Sequence, residues 1–130
     1  MFGDMKYLHT MIRVGNLEDS IRFYQDVLGM TLLSKDDYPE GKFTLAFLGH
    51  GTSKKDPCIE LTYNWDRDQY TMGDAFGHIA FSVTDIYDFC TKAKAHGAKV
   101  LREPGPMKHG KTILAFLEDP NGYRIELIQS

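Results

Sequence analysis

Two histidines and two glutamates stand at matching places in this chain. His9 is the second residue of Leu8-His9-Thr10-Met11-Ile12-Arg13-Val14, and His78 is the second residue of Gly77-His78-Ile79-Ala80-Phe81-Ser82-Val83, a spacing of 69 residues (78 − 9). Glu60 is the centre of Ile59-Glu60-Leu61 and Glu126 the centre of Ile125-Glu126-Leu127, a spacing of 66 residues (126 − 60). Alone, a strand histidine is ordinarily a hydrogen-bonded structural residue, and a glutamate in an apolar triplet ordinarily sits on a strand face. Recurrence of all four argues otherwise, because a folding core has no use for paired ionisable groups at equivalent positions. Imidazole nitrogen and carboxylate oxygen without thiolate suit Zn²⁺, Ni²⁺, Co²⁺ or Mn²⁺. Four such ligands would leave two octahedral positions open for water or substrate, which makes a Lewis-acid site.

The elements that must position these residues also repeat. Asn16 and Asp85 are helix-opening residues, Gly29 and Gly97 stand at helix ends, and Leu45-Ala46-Phe47-Leu48 returns as Leu114-Ala115-Phe116-Leu117. Leu8 to Val14 alternates as a half-buried strand with His9, Met11 and Arg13 on one face. A helix follows from about residue 17 to 28, then a strand from Met30 to Ser34 and a turn-forming run, Asp36 to Gly41. Lys42 to Gly49 and Cys58 to Asn64 alternate again, the latter with Cys58, Glu60, Thr62 and Asn64 on one face. In the second copy His78, Ala80 and Ser82 share a face, a helix runs from Asp85 to Gly97, and strands are expected at Ala98–Arg102, Thr112–Leu117 and Tyr123–Ile128. The last places Arg124, Glu126 and Ile128 together.

Each copy is therefore β-α-β-β-β. The fold class is α+β, two tandem modules forming curved mixed sheets in a single domain over residues 1–130. Repeat one covers 7–64, repeat two 77–129, and the polar, aperiodic stretch 65–76 joins them. A pseudo-twofold between the copies would carry His9, Glu60, His78 and Glu126 to one centre.

Bulk properties exclude several function classes. A chain of 130 residues, 42% hydrophobic and 25% charged, has the apolar content for a real core. Formal net charge is −3 with acids and bases interspersed, so neither a nucleic-acid footprint nor a polybasic membrane patch is present. No apolar run approaches the ~20 residues needed to span a bilayer. The start, Met1-Phe2-Gly3-Asp4-Met5-Lys6, lacks the character of a signal peptide, and a cytoplasmic protein is expected. Cys58 and Cys90 form no CxxC pair and read as small buried hydrophobes of a reducing compartment.

The remaining histidines, His50, His96 and His109, fall in a loop, at a helix end and in a loop, where a metal ligand is not expected. Arg13 shares a strand face with His9 and is the better candidate for binding an anion. Lys108, in the loop Pro104-Gly105-Pro106-Met107-Lys108-His109-Gly110-Lys111, suits a solvated surface lysine as well as an anion contact.

From Tyr7 to Gln129 the chain resembles the glyoxalase I (lactoylglutathione lyase) family of the vicinal oxygen chelate superfamily, in its short bacterial form. The stretches that carry the resemblance are Leu8 to Val14, Phe23-Tyr24 with Val27-Leu28-Gly29-Met30, Ile59-Glu60-Leu61-Thr62-Tyr63-Asn64-Trp65, Gly77-His78-Ile79-Ala80, and Glu118-Asp119-Pro120-Asn121-Gly122-Tyr123-Arg124-Ile125-Glu126-Leu127. The resemblance implies metal binding by His9, Glu60, His78 and Glu126, with Ni²⁺ or Co²⁺ as the activating ion and Zn²⁺ an alternative. It implies substrate contacts from Arg13, Asn64 and His78, with Lys108 and His109 in a loop that covers the carboxylate end of glutathione. It also implies a homodimer with sites at its interface. The reaction would be isomerisation of the methylglyoxal–glutathione hemithioacetal to S-lactoylglutathione by proton abstraction through a metal-bound enediolate. Glu126 is the expected base, and Glu60 would serve the opposite substrate face. One departure is the turn Asp-Pro-Asn-Gly where Asp-Pro-Asp-Gly is common in the family, and both suit a turn. The rival readings are another metal-dependent enzyme of the superfamily, such as a dioxygenase or an epoxide-opening glutathione transferase, and a non-catalytic small-molecule binding module. A dioxygenase needs two His and one carboxylate, so the second carboxylate argues against it.

Overall fold

The computed structural model describes residues 2–130, in two compact units that meet in the chain between Tyr70 and Thr71. In the first unit, β1 (His9–Arg13) leads to α1 (Leu17–Arg22), then a π-helical turn at Phe23–Val27, and then β2 (Thr31–Tyr38), β3 (Phe43–Gly49) and β4 (Cys58–Asn64). The sheet order is β1-β4-β3-β2, with β1 and β4 parallel and the other neighbours antiparallel. The second unit repeats this with β5 (His78–Val83), α2 (Ile86–Ala95), β6 (Lys99–Pro106), β7 (Ile113–Glu118) and β8 (Arg124–Gln129), in the order β5-β8-β7-β6. The first and last strands of each module are thus parallel neighbours. That adjacency is what a His on the first and a Glu on the last require. Among the described residues no helix is long and apolar enough to cross a membrane.

Local sequence accounts for the helices. The Asn16 side chain accepts the Asp19 amide N–H at 3.0 Å, and the Asp85 side chain accepts that of Asp88 at 3.1 Å, so each helix starts on an Asx cap. Gly29 and Gly97 end the two helical segments at φ +69° and +85°, a left-handed backbone that glycine adopts without strain. The expected helix over 17–28 is α-helical only to Arg22. Beyond it the turn widens, and the Leu28 amide reaches back to the Phe23 carbonyl at 3.2 Å. The wider turn lets the adjacent Phe23 and Tyr24 both enter the core, their rings edge to face with centroids 5.3 Å apart.

β2 also runs further than expected, through Asp36 and Asp37 to Tyr38. The antiparallel partner decides it: Asp37 accepts the Thr44 hydroxyl at 2.7 Å, and Tyr38 stacks on Phe43 at 4.9 Å. As an edge strand it tolerates the charges. β6 likewise extends to Pro106, with register irregularities on either side of Arg102. The Arg102 guanidinium donates to the carbonyls of Gly105, Pro106 and Leu114, which offsets the ladder bonds that proline cannot make.

In each unit the helix covers one sheet face. Ile12, Val14, Ile21, Tyr24, Ala46, Leu48, Ile59 and Leu61 are buried in the first, and Ile86, Cys90, Leu114, Leu117, Ile125 and Leu127 in the second. Each large apolar side chain so buried contributes roughly 1.5–3 kcal/mol. Glu60 alternates with Ile59 and Leu61 along β4, and Glu126 with Ile125 and Leu127 along β8, so the core holds one face of each sheet while the other carries the carboxylates.

Candidate metal centre

His9 lies beside Cys58 across the parallel β1–β4 pair, and Glu60 lies beside Met11, an offset of two residues that keeps both side chains on one face. The His9 Nε2 and Glu60 Oε1 are 3.2 Å apart. In the second unit His78 pairs with Arg124 and Ala80 with Glu126, the same offset, and His78 Nε2 is 3.1 Å from Glu126 Oε1. Both carboxylates are largely covered, with 13% and 16% of the side chain exposed, whereas the imidazoles are 35% and 42% exposed.

A third residue completes each pair. Phe47, across β3–β4 from Glu60, meets the His9 ring edge to face at 5.3 Å and 85°. Phe116, across β7–β8 from Glu126, meets His78 at 5.4 Å and 79°. The repeated Leu-Ala-Phe-Leu motif thus puts a wall against each imidazole and limits its rotation. Its role as a wall was not read from the sequence, although the recurrence of the motif beside the His and Glu repeats was the available signal.

The donor set and its spacing fit a divalent ion. Two donors each ~2.1 Å from one ion and at right angles lie about 3 Å apart, close to the observed separations. A mostly buried carboxylate also requires a compensating cation or hydrogen bonds. Each unit supplies one nitrogen and one oxygen donor, and among the described residues no cluster of three or more His, Cys, Asp or Glu side chains forms. Cys58 is two residues from Glu60, but burial, and then the Glu60 charge, push its thiol up, so it remains an S–H near the Leu8 carbonyl. Cys90 is raised in the same way, by burial and then by Glu103. Both cysteines are free and buried.

The other predicted residues divide between the units. Arg13 is exposed at the end of β1, beside Thr62, and Asn64 ends the neighbouring β4. The Asn64 amide donates to the Tyr70 hydroxyl at 2.9 Å. Lys108 and His109 are exposed in the β6–β7 loop, which is closed by a bond from the Met107 amide to the Thr112 carbonyl. His50 is tied to the Leu28 carbonyl at 2.9 Å, and His96 caps α2, both as structural residues. One difference between the units is Lys54, whose ammonium lies 4.9 Å from the Phe47 ring centre. It comes from the β3–β4 loop, residues 50–57, which is longer than its β7–β8 counterpart, residues 119–123.

Comparison with known proteins places the chain among relatives of one family. The chain is 60% identical over 126 residues to a probable lactoylglutathione lyase of Synechocystis sp., covering 97% of this chain and 96% of that one. It is 58% identical over 125 residues to the lactoylglutathione lyase of Neisseria meningitidis serogroup A, covering 96% and 91%. A crystal structure of glyoxalase I from Zea mays superposes with a TM-score of 0.93 at 46% identity, covering 96% of this chain and 44% of the maize chain. The Leishmania major trypanothione-dependent glyoxalase I superposes with a TM-score of 0.86 at 42% identity, covering 97% and 87%. The model of the Glyoxalase/Bleomycin resistance protein/Dioxygenase superfamily matches residues 6–127, and the chain belongs to that superfamily.

Proposed function

We propose that this chain is a metal-dependent lactoylglutathione lyase that converts the hemithioacetal of methylglyoxal and glutathione to S-lactoylglutathione, and so removes methylglyoxal. The observation that carries the reading is the His–Glu pair built twice with the same register offset, at 3.2 and 3.1 Å. It is supported by relatives named lactoylglutathione lyase at 52–60% identity over nearly the whole chain.

His9, Glu60, His78 and Glu126 would hold the ion, Ni²⁺ or Co²⁺ by resemblance to the short bacterial enzymes, with Zn²⁺ the alternative. A bound divalent ion supplies Lewis-acid stabilisation of the negative charge that builds on the two substrate oxygens. The protein's own groups do the rest. The reaction moves the proton of the C–H bond next to sulfur onto the neighbouring carbon, while the first carbon becomes the thioester carbonyl and the second the alcohol. A carboxylate must take that proton and return it. Glu126 is assigned this role by the resemblance, and Glu60, with matching surroundings, serves the opposite substrate face. Phe47 and Phe116 keep the imidazoles oriented. Arg13, Asn64, Lys108 and His109 bind the glutathione moiety, and His78 also touches substrate. Each unit supplies two protein donors, so a four-ligand site needs two pairs, in this reading one from each kind of unit. We place the two pairs on different chains of a cytoplasmic homodimer, each chain forming one domain.

Glu126→Gln preserves size and removes basicity. The metal-loaded variant is expected to lose at least ~100-fold in kcat, the low end of a general-base contribution. A wild-type rate in that variant, or no isotope effect with substrate deuterated at the transferred position, would overturn the assignment.

A further inference from the structure

The chain leaving β4 doubles back on itself through a set of contacts that the repeat does not explain. Trp65 is anchored to β3, its backbone amide on the Lys42 carbonyl at 2.9 Å and its indole N–H on the Thr44 hydroxyl at 2.9 Å. Asp66 then adopts φ +65°, and the Arg67 amide returns to the Asn64 carbonyl at 3.2 Å. The next residue lies hard against Gly15: a Cβ built there would stand 2.3 Å from the Asp68 carbonyl oxygen. The segment is thereby seated two residues beyond Arg13. Tyr70 follows, with its hydroxyl 2.9 Å from the Asn64 amide nitrogen. The Arg67 guanidinium lies over the Tyr70 ring at 4.2 Å and donates through Nε to the Gln69 carbonyl at 3.2 Å.

We propose that Tyr70 is a positioning residue that fixes the Asn64 amide, and that Arg67, held on the Tyr70 ring, supplies a further cation for a carboxylate of the glutathione moiety. The inference rests on Asn64 and Arg13 being glutathione contacts, as read above. The terminal torsion of asparagine is broad, so an unsupported amide presents donor and acceptor interchangeably. The bond to Tyr70 commits Nδ2 to the protein and leaves Oδ1 as an acceptor for a peptide N–H of the substrate. Arg67 has no carboxylate within ion-pair distance among the described residues. Its planar fork, already ordered by the aromatic face, suits two-pronged binding of a carboxylate. Glutathione carries two carboxylates and two peptide groups, so this end of the sheet offers it both an amide acceptor and two guanidinium groups.

The test uses the metal-loaded enzyme and S-methylglutathione, a non-reacting probe, measured by calorimetry alongside KM and kcat for the hemithioacetal. Tyr70→Phe removes only the hydroxyl, and the loss of one positioning hydrogen bond should raise both Kd and KM roughly 5-fold with kcat nearly unchanged. Asn64→Ala should raise them at least as much, and the double variant should be no worse than Asn64→Ala alone, because Tyr70 acts through Asn64. Arg67→Met leaves the hydroxyl–amide bond in place and should weaken the probe about 3- to 10-fold at low salt, with Arg67→Lys intermediate. Its effect should vanish for probe with both carboxylates amidated. Unchanged Kd in Tyr70→Phe, or an effect that adds in full to that of Asn64→Ala, overturns the positioning role, and unchanged Kd in Arg67→Met overturns the carboxylate contact. If Asn64→Ala weakens binding and Tyr70→Phe does not, this inference alone fails. If Asn64→Ala is itself silent, both it and the assignment of Asn64 fail.

Discussion

A mixture of two inactive variants tests how the pairs are shared between chains. His9→Ala removes the nitrogen donor of the first unit and Glu126→Ala the oxygen donor of the second, so each homodimer should be inactive. If each site takes His9 and Glu60 from one protomer and His78 and Glu126 from its partner, a mixed dimer has one doubly broken site and one intact site. The intact site uses the first unit of the Glu126→Ala chain and the second unit of the His9→Ala chain. Equal mixing with free exchange makes about half the dimers mixed, and one intact site in each of these restores about a quarter of wild-type activity at equal total protein. The assay follows thioester formation from pre-equilibrated hemithioacetal, with exchange confirmed by native mass spectrometry of mass-tagged subunits. Were both pairs contributed by one chain, every chain would carry a lesion and nothing would be regained. Absence of recovery with exchange confirmed therefore refutes the shared site.

Arg13→Ala and Lys108→Ala should each raise KM for the hemithioacetal about 10-fold or more with kcat nearly unchanged, as expected for lost carboxylate contacts, and a fall in kcat at constant KM would contradict a binding role. Burial pushes the thiols of Cys58 and Cys90 up, so neither should react with a disulfide reagent at neutral pH in the folded protein. Both should titrate on unfolding, and rapid labelling of the native protein would contradict the packing. Gly15→Ala places a methyl 2.3 Å from the Asp68 carbonyl oxygen and should cost roughly 1–3 kcal/mol, seen as a Tm lowered by about 3–10 °C. An unchanged Tm would mean that the segment after β4 is not seated on Gly15.

The site was legible in the sequence because it is written twice. The alternation around His9 and Glu60 assigned each to a strand face; that they meet required the first and last strands of a copy to be neighbours, which the parallel β1–β4 and β5–β8 pairs supply. The change of spacing from 69 to 66 residues has its physical origin in the longer loop between β3 and β4, the loop that also brings Lys54 to Phe47. Elements decided by partners rather than by local pattern were not legible. Asp36 and Asp37 look like turn residues until Leu45 and Thr44 are set opposite them, and the π-helical turn after Arg22 accompanies the entry of two adjacent aromatics into the core. Tyr70 and Arg67 lie in the aperiodic segment that joins the two copies, so only their contacts with Asn64 and with each other reveal them.

Titration of the metal-stripped protein with Ni²⁺, followed by isomerisation of the methylglyoxal–glutathione hemithioacetal in the same samples, tests the central claim most directly. Each chain contributes one His–Glu pair of each kind, enough for one four-ligand site per chain. Activity should be absent in the stripped protein, rise in proportion to added ion, and level off at one ion per chain. His9→Ala and Glu126→Gln should both be inactive at saturation, the first by failing to hold the ion and the second while retaining some of it. Full turnover in stripped protein, or activity in His9→Ala equal to wild type, would contradict the claim that these pairs form the catalytic metal centre.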